Sequence, residues 1–240
     1  MTPVTLDAHS TRPPHSAHPE SSRGALARDK MLMAALDLFG RHGYEATTTR
    51  MVAQQAGMNL GAIPYYFGSK DDLYAQSASW LAAYIADRMR EPLARLQVDT
   101  TSEDDPEVLV AHLVTFMQAH ARALLHDAAP PSWVQFFMRA QTERDAAFEA
   151  LFGQVIAPSH DTVCTVLGKA LGLPAEHLRT RTLAYLAFHQ SICFRLTGDV
   201  LLRRLGWDSF TPSRIDALLE LIGGALRDQL LGAIRRGGQA

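Results

Sequence analysis

The sequence predicts an all-α protein, and three observations predict it. Apolar side chains recur at three- and four-residue spacing along most of the chain after residue 24. No run of any length alternates apolar and polar residues as a half-buried strand does. Glycine, proline and short hydroxyl or carboxylate side chains break the pattern where helix ends are due. No internal repeat is visible, which excludes a solenoid.

The elements follow in order. Residues 1–23 are rich in Pro, Ser, Thr and His and poor in large apolar groups, so a disordered arm is expected. Its Arg12 and Arg23, with nearby Arg28, offer cations to a polyanion. Over residues 25–42, Met31, Ala34, Ala35, Leu38 and Phe39 mark one face of a helix. Gly43 suits a closing position with positive φ. Thr47, Thr48 and Thr49 can cap a second helix, residues 50–56, whose inward side chains are Val52, Ala53 and Ala56. Gly57 makes a tight turn. Asn59 is placed to cap a third helix, residues 60–67, held on the core by Ile63, Tyr66 and Phe67. Pro64, five residues into that helix, should remove one backbone bond and kink it. Ser69 caps a long fourth helix with Asp71 and Asp72 in its first turn, where the helix dipole favours them.

Further helices are expected over 70–97, 107–127, 131–151, 154–172, 175–205 and 212–234, separated by proline, glycine or polar breaks. Trp133, Phe136, Phe137 and Met138 fall within six positions and wrap more than one face of their helix. Burial between several helices, or at a subunit interface, is the plainer reading; the wall of a ligand cavity is the other. Arg139 beside them can pair with Glu143 one turn on, or with an anionic ligand. Residues 182–205 are apolar around so much of the circumference that burial on both sides is expected.

Composition limits the function classes. The chain has 240 residues, 47% of them apolar, and a formal net charge of −2. That length holds one or two domains with cores of their own. No global basic character advertises nucleic acid, but residues 23–70 carry six Lys/Arg against three Asp/Glu. Such a local surplus suffices for a specific binder, with a modest and salt-sensitive electrostatic footprint. Cys164 and Cys193 lie in apolar helical stretches, so free, buried thiols are expected rather than a disulfide. No Cys/His spacing suits zinc, and the ten histidines form no HExxH, so neither metal nor cofactor is expected. His120 and His189 read as hydrogen-bonded helical histidines, with His189 alternatively lining a cavity. Glu103-Asp104-Asp105 reads as a solvated acidic run. The absence of a nucleophile–base pair or phosphate loop argues against an enzyme. No stretch reads as a membrane span or signal peptide, so a cytoplasmic location is expected.

Across residues 26–75 the chain resembles the N-terminal domain of the TetR family of bacterial regulators. The resemblance is carried by Phe39, Gly43-Tyr44, the threonines, Ala53, Ala56-Gly57, Gly61, Ile63, Tyr66-Phe67, Ser69-Lys70 and Leu73. Residues 59–70 and the segment from Phe188 to Trp207 are similar to the CecR-like branch of that family. The resemblance implies a helix-turn-helix DNA-binding domain at 24–70 and a helical regulatory and dimerisation domain at 71–236. It implies phosphate contacts by Thr47, Thr48, Tyr66 and Lys70, with Arg50 on the same DNA-facing surface. Asn59, Gly61, Ala62 and Tyr65 would face base edges. Many members have lysine where this chain has Leu60, so this position would offer an apolar contact, for instance to a thymine methyl. Many have tyrosine where Pro64 stands.

An effector would meet Trp133, Phe136, Phe137, Arg139 and His189. Two copies would join by their last two long helices, through Tyr185, Phe188, Ile192, Ile215, Leu219 and Ile222. The implied function is a homodimeric repressor that leaves a palindromic double-stranded DNA operator when a small molecule binds. The alternatives are a regulator without an effector and a helical enzyme.

Overall fold

The computed structural model describes residues 19–126 and 129–237, and all regular structure among them is helical. Most of the expected arm lies outside the described residues. Its last five, 19–23, form the first turn of α1, Pro19–Ala46. Proline at a helix start has the right φ and forfeits no bond. The helices that follow are α2 Thr49–Gln55, α3 Ala62–Tyr66, α4 Lys70–Thr100, α5 Pro106–His126 and α6 Pro131–Glu143. Then come α7 Ala146–Leu151, a π-helical turn Phe152–Ile156, α8 Ala157–Leu171, α9 Leu178–Leu196, α10 Gly198–Leu205 and α11 Pro212–Gly237.

The described residues divide into two compact units, residues 19–87 with 129–156, and residues 88–126 with 157–237. The first unit therefore takes in α6 and α7 as well as α1 to α3 and the first part of α4. Its core joins Met31, Leu32, Leu36 and Phe39 of α1 to Val52, Ile63, Phe67, Leu73, Trp80, Tyr84, Trp133 and Phe136. Packing of α6 on α1 is close enough to require glycine: a Cβ at Gly40 would lie 1.9 Å from the Ser132 carbonyl oxygen.

The aromatic group on α6 completes this core. Trp133 meets Trp80 and Tyr84 edge to face at 5.3 Å each, and Phe136 meets Tyr74 at 5.3 Å. Trp133 and Phe136 are buried and Phe137 is half-buried against the same cluster. Of the two readings left open, the packed core is the one seen for these rings. Arg139 does not need Glu143: its Nε donates to the Gly40 carbonyl at 3.1 Å.

The helix expected over 131–151 breaks at Arg144, which sits at φ 53. No glycine or proline marks the break. Its cause is Asp145, whose carboxylate accepts from the Ala147 and Phe148 backbone N–H groups and from the Tyr74 hydroxyl at 2.7 Å. One side chain starts α7 and ties it to α4.

In the second unit, α5 packs against α8, α9 and α11. By length and composition α5 is apolar enough to cross a bilayer, contrary to the sequence expectation. Its Leu109, Val110, Leu113, Phe116 and Met117 are buried inside the unit instead. The helix expected over 175–205 is split at Thr197; at Gly198, which opens α10, a Cβ would stand 3.0 Å from the Phe210 ring. Cys164 is buried but Cys193 is exposed, correcting the expectation for the second thiol; both are free.

Candidate nucleic-acid interface

The geometry of residues 43–72 is set locally. Gly43 takes φ 80 and closes the regular part of α1. Thr48 caps α2, its Oγ1 accepting from Met51 N at 3.2 Å. Gly57 takes φ 66, and Met58 N closes the turn on Ala53 O at 2.8 Å. Asn59 Oδ1 accepts from Gly61 N at 3.1 Å, so the side chain organises the turn into α3.

The third helix is shorter than the spacing suggests, Ala62–Tyr66 rather than 60–67. Pro64 is consequently its third residue. The first N–H groups of a helix have no intrahelical acceptor, so proline there breaks no bond and no kink results. Ser69 caps α4: its Oγ accepts from Asp72 N at 3.0 Å and donates to Asp72 Oδ2 at 2.6 Å.

On this frame the expected DNA-facing residues separate by exposure. Thr48, Arg50, Asn59, Leu60, Gly61 and Tyr65 are exposed, Tyr65 at 81%. Ala62, Tyr66 and Lys70 are half-buried. Thr47 is fully buried and donates to the Gly43 carbonyl at 2.8 Å. It therefore clasps the end of α1 and has no free hydroxyl for a phosphate, a correction to its expected role. Tyr65 and Tyr66 meet edge to face at 4.9 Å, which supports the exposed ring with the half-buried one.

Sequence reasoning named Tyr44 and Arg28 but not the part each takes in supporting this surface. Tyr44 stacks on Phe39 and meets Tyr74 edge to face, carries the Lys70 ammonium over its ring at 4.1 Å and donates to Asp71. It fixes the end of α1 to the start of α4 and aims the lysine. Arg28 stacks its guanidinium over Phe67 at 5.5 Å and donates to Gln76. The pairing of Gly-Tyr with Ser-Lys in the sequence was the available signal for the first; nothing in the spacing signalled the second.

The second unit places the remaining expected residues. His189 Nδ1 lies 2.8 Å from the Tyr185 carbonyl oxygen, and its ring stacks on Tyr185 at 3.8 Å. Phe188 stacks on His160 at 4.3 Å and meets the edge of His120 at 5.2 Å. Burial pushes the His120 imidazole down to about 4, with His160 adding to the effect. Burial, then His189, lowers His160 as well. Among the residues expected at a dimer interface, Phe188, Ile215 and Leu219 are buried within the unit, so they hold its own core. Ile215 and Leu219 pack on Ala121 of α5. Tyr185 is exposed, and Ile192 and Ile222 are half-buried. Among the described residues no group of His, Cys, Asp or Glu could hold a metal ion.

A capped helix, a glycine turn and a short helix with an exposed tyrosine, braced by a third helix and a lysine-bearing fourth, define a helix-turn-helix DNA-binding protein. Comparison with known proteins agrees. Residues 31–76 match the family profile "Bacterial regulatory proteins, tetR family". Residues 109–233 match that of the C-terminal domain of the HTH-type transcriptional dual regulator CecR. The CecR protein of Shigella flexneri is 30% identical over 201 residues, 83% of this chain and 89% of that protein. The structure of the ketosteroid transcriptional regulator KstR2 of Mycobacterium tuberculosis superposes with a TM-score of 0.58 at 15% identity, covering 91% of this chain and 98% of that one. That of FadR from Bacillus subtilis, in complex with stearoyl-CoA, gives 0.51 at 18%, covering 82% and 96%. The chain belongs to the TetR family of transcriptional regulators.

Proposed function

We propose that this regulator is a ligand-responsive repressor: a homodimer, working in the cytoplasm, that holds a palindromic operator and leaves it when a small molecule binds the larger helical region. The observation that carries the DNA half of this reading is the exposed run Asn59–Leu60–Gly61 and the exposed Tyr65, on a frame set by the Thr48 cap and by Lys70 held over Tyr44. Phosphate contacts from the cap and the lysine fix orientation, and the α3 edge reads bases. A two-fold dimer presents two such edges to two half-sites. Its contact surface is drawn from side chains the unit leaves exposed, Tyr185, Leu186 and Leu221.

The ligand half rests on two buried hydrogen-bonding atoms without partners in the second unit, His120 Nδ1 on α5 and Ser191 Oγ on α9. These helices pack together, and Ser191 lies one turn beyond Phe188, which touches His120. Buried polar atoms are costly unless satisfied, and a polar group on an otherwise apolar effector would satisfy both. The stearoyl-CoA complex of FadR supports a small-molecule role for a neighbour with this fold. The Shigella relative is a dual regulator, which favours a second reading in which this protein also activates at some sites.

The test is selection of duplexes from a random pool, followed by a screen for compounds that release the enriched duplex. One palindrome and at least one releasing compound support the reading. The variant His120→Leu should keep the duplex and lose the response; a full response from it would place the effector elsewhere.

A further inference from the structure

Asp37 sits in the C-terminal half of α1 with a side chain only 14% exposed, and three elements converge on its carboxylate. One oxygen, Oδ1, accepts from Ser132 Oγ, at the start of α6, and from Arg41 Nε at 2.9 Å. The other, Oδ2, accepts from Gln55 Nε2 at 2.8 Å; Gln55 is the last residue of α2. Burial pushes this carboxyl up, but the hydrogen bonds from Ser132 and Gln55 and the Arg41 charge outweigh it and hold the group below the usual carboxylate range. Around this point α6 is locked to α1 by the close approach at Gly40 and by Arg139 Nε on the Gly40 carbonyl.

A surface acid on a DNA-binding domain ordinarily works against binding, since it repels phosphate. Asp37 is placed otherwise: its charge is consumed by donors within the unit. The helix it holds through Gln55 is joined to α3 by a turn of only a few residues, closed by the Met58–Ala53 backbone bond. A shift of α2 therefore carries the reading helix with it.

We propose that Asp37 is a positioning residue for DNA recognition: through Ser132 and Gln55 it seats α2 against the α1–α6 pair and so sets the aim of α3. The separate duties of the two oxygens make the assignment testable by exchanging roles. The variant Gln55→Glu sets two carboxylates against each other and should weaken binding about tenfold or more, measured with the duplex that the unaltered protein enriches from a random pool. Adding Asp37→Asn should restore affinity to within about threefold. The asparagine oxygen can still accept from Ser132 and Arg41, while its NH2 donates to the new glutamate.

Because Asp37→Asn also restores net charge, a control is needed. Gln55→Glu combined with Glu45→Gln has the same net charge but leaves the node unrepaired, and should stay weak. Glu45 is exposed. Ser132→Ala should lower affinity about fivefold at a temperature where it is fully folded, and combining it with Gln55→Ala should cost less than the product of the single effects. Rescue by Glu45→Gln as good as by Asp37→Asn, or no loss in Gln55→Glu, would overturn the proposal. Unchanged affinity in Ser132→Ala would remove α6 from it. The inference needs no effector, so it stands or falls apart from the ligand response.

Discussion

At the junction of α1 and α2, adjacent threonines face opposite ways. Thr47 is buried on the Gly43 carbonyl, and Thr48 is exposed on the Met51 N–H. Thr47→Val should therefore lower stability by about 1 kcal/mol and leave affinity for the selected duplex unchanged in the folded protein. Thr48→Ala should cost a similar amount through the lost cap and also weaken the duplex complex. Thermal melts and duplex titrations of the two variants separate these outcomes; equal loss of affinity in both would return Thr47 to the interface. Farther along, Tyr65→Ala should change preference among sequences by about 1–3 kcal/mol at the altered position. Lys70→Ala should weaken all duplexes alike and reduce the salt dependence by about one phosphate contact. Tyr65→Ala with unaltered affinity and preference would mean that α3 is wrongly oriented on the duplex. The spacing of the sequence singled out these residues, because cap, turn and lysine form a local code. It did not tell Thr47 from Thr48, since that depends on where α1 ends, and Gly43 places that end only to within a residue or two.

Among the elements, α1 to α4 were legible because each boundary carries its own chemistry: Gly43, Thr48, Gly57 and Ser69 act within a few residues of themselves. The two-residue delay of α3 was not, because its first turn is held by the Asn59 side chain rather than by helical bonds. The break between α6 and α7 was hidden for a different reason. Asp145 caps α7 while accepting from Tyr74, 71 residues away, and no local pattern announces a partner at that distance. The seat of α6 on α1 was equally invisible, since Gly40 reads as an unremarkable glycine inside a helix. The structure makes it a contact point. Gly40→Ala would drive a methyl into the Ser132 carbonyl, backbone against backbone, with no side chain able to yield. A gain in helix propensity of about 1 kcal/mol opposes this, but overpacking of this kind costs about 3 kcal/mol. The net effect should be a melting point lower by several degrees. A variant melting at or above the unaltered protein would show that α6 does not lie on α1 at this point.

Over the whole molecule, the two compact units are not the two stretches that the helix-turn-helix pattern suggests. A motif marks where DNA is read, and packing decides what folds together; α6 follows packing, with Trp133 and Phe136 in the first core. The second unit carries the feature with a global readout. His120 on α5, His160 beside Asp161 on α8, and His189 on α9 gather around Phe188 and Tyr185. In the folded protein His120 is lowered to about 4 from an ordinary 6.5, and His160 is lowered too. An unfolded chain takes up a proton at each near pH 6.5, whereas the folded chain resists. The stability these groups contribute is thus complete above pH 6.5 and is lost progressively as the pH falls from there to the folded values, about 3 kcal/mol for His120 by pH 4. Asp37 acts in the same direction only further down, because a carboxyl held below 3.8 loses its contribution beneath that value. Between pH 6.5 and 4.5 the histidines dominate. Melting followed by circular dichroism across that window should show a steady fall for the unaltered protein. His120→Phe, which can keep an edge contact with Phe188 and cannot be protonated, should fall distinctly less. Identical slopes for the two proteins would show that His120 is protonated as readily in the folded chain as in the unfolded one, and its burial against Phe188 would then have no energetic consequence.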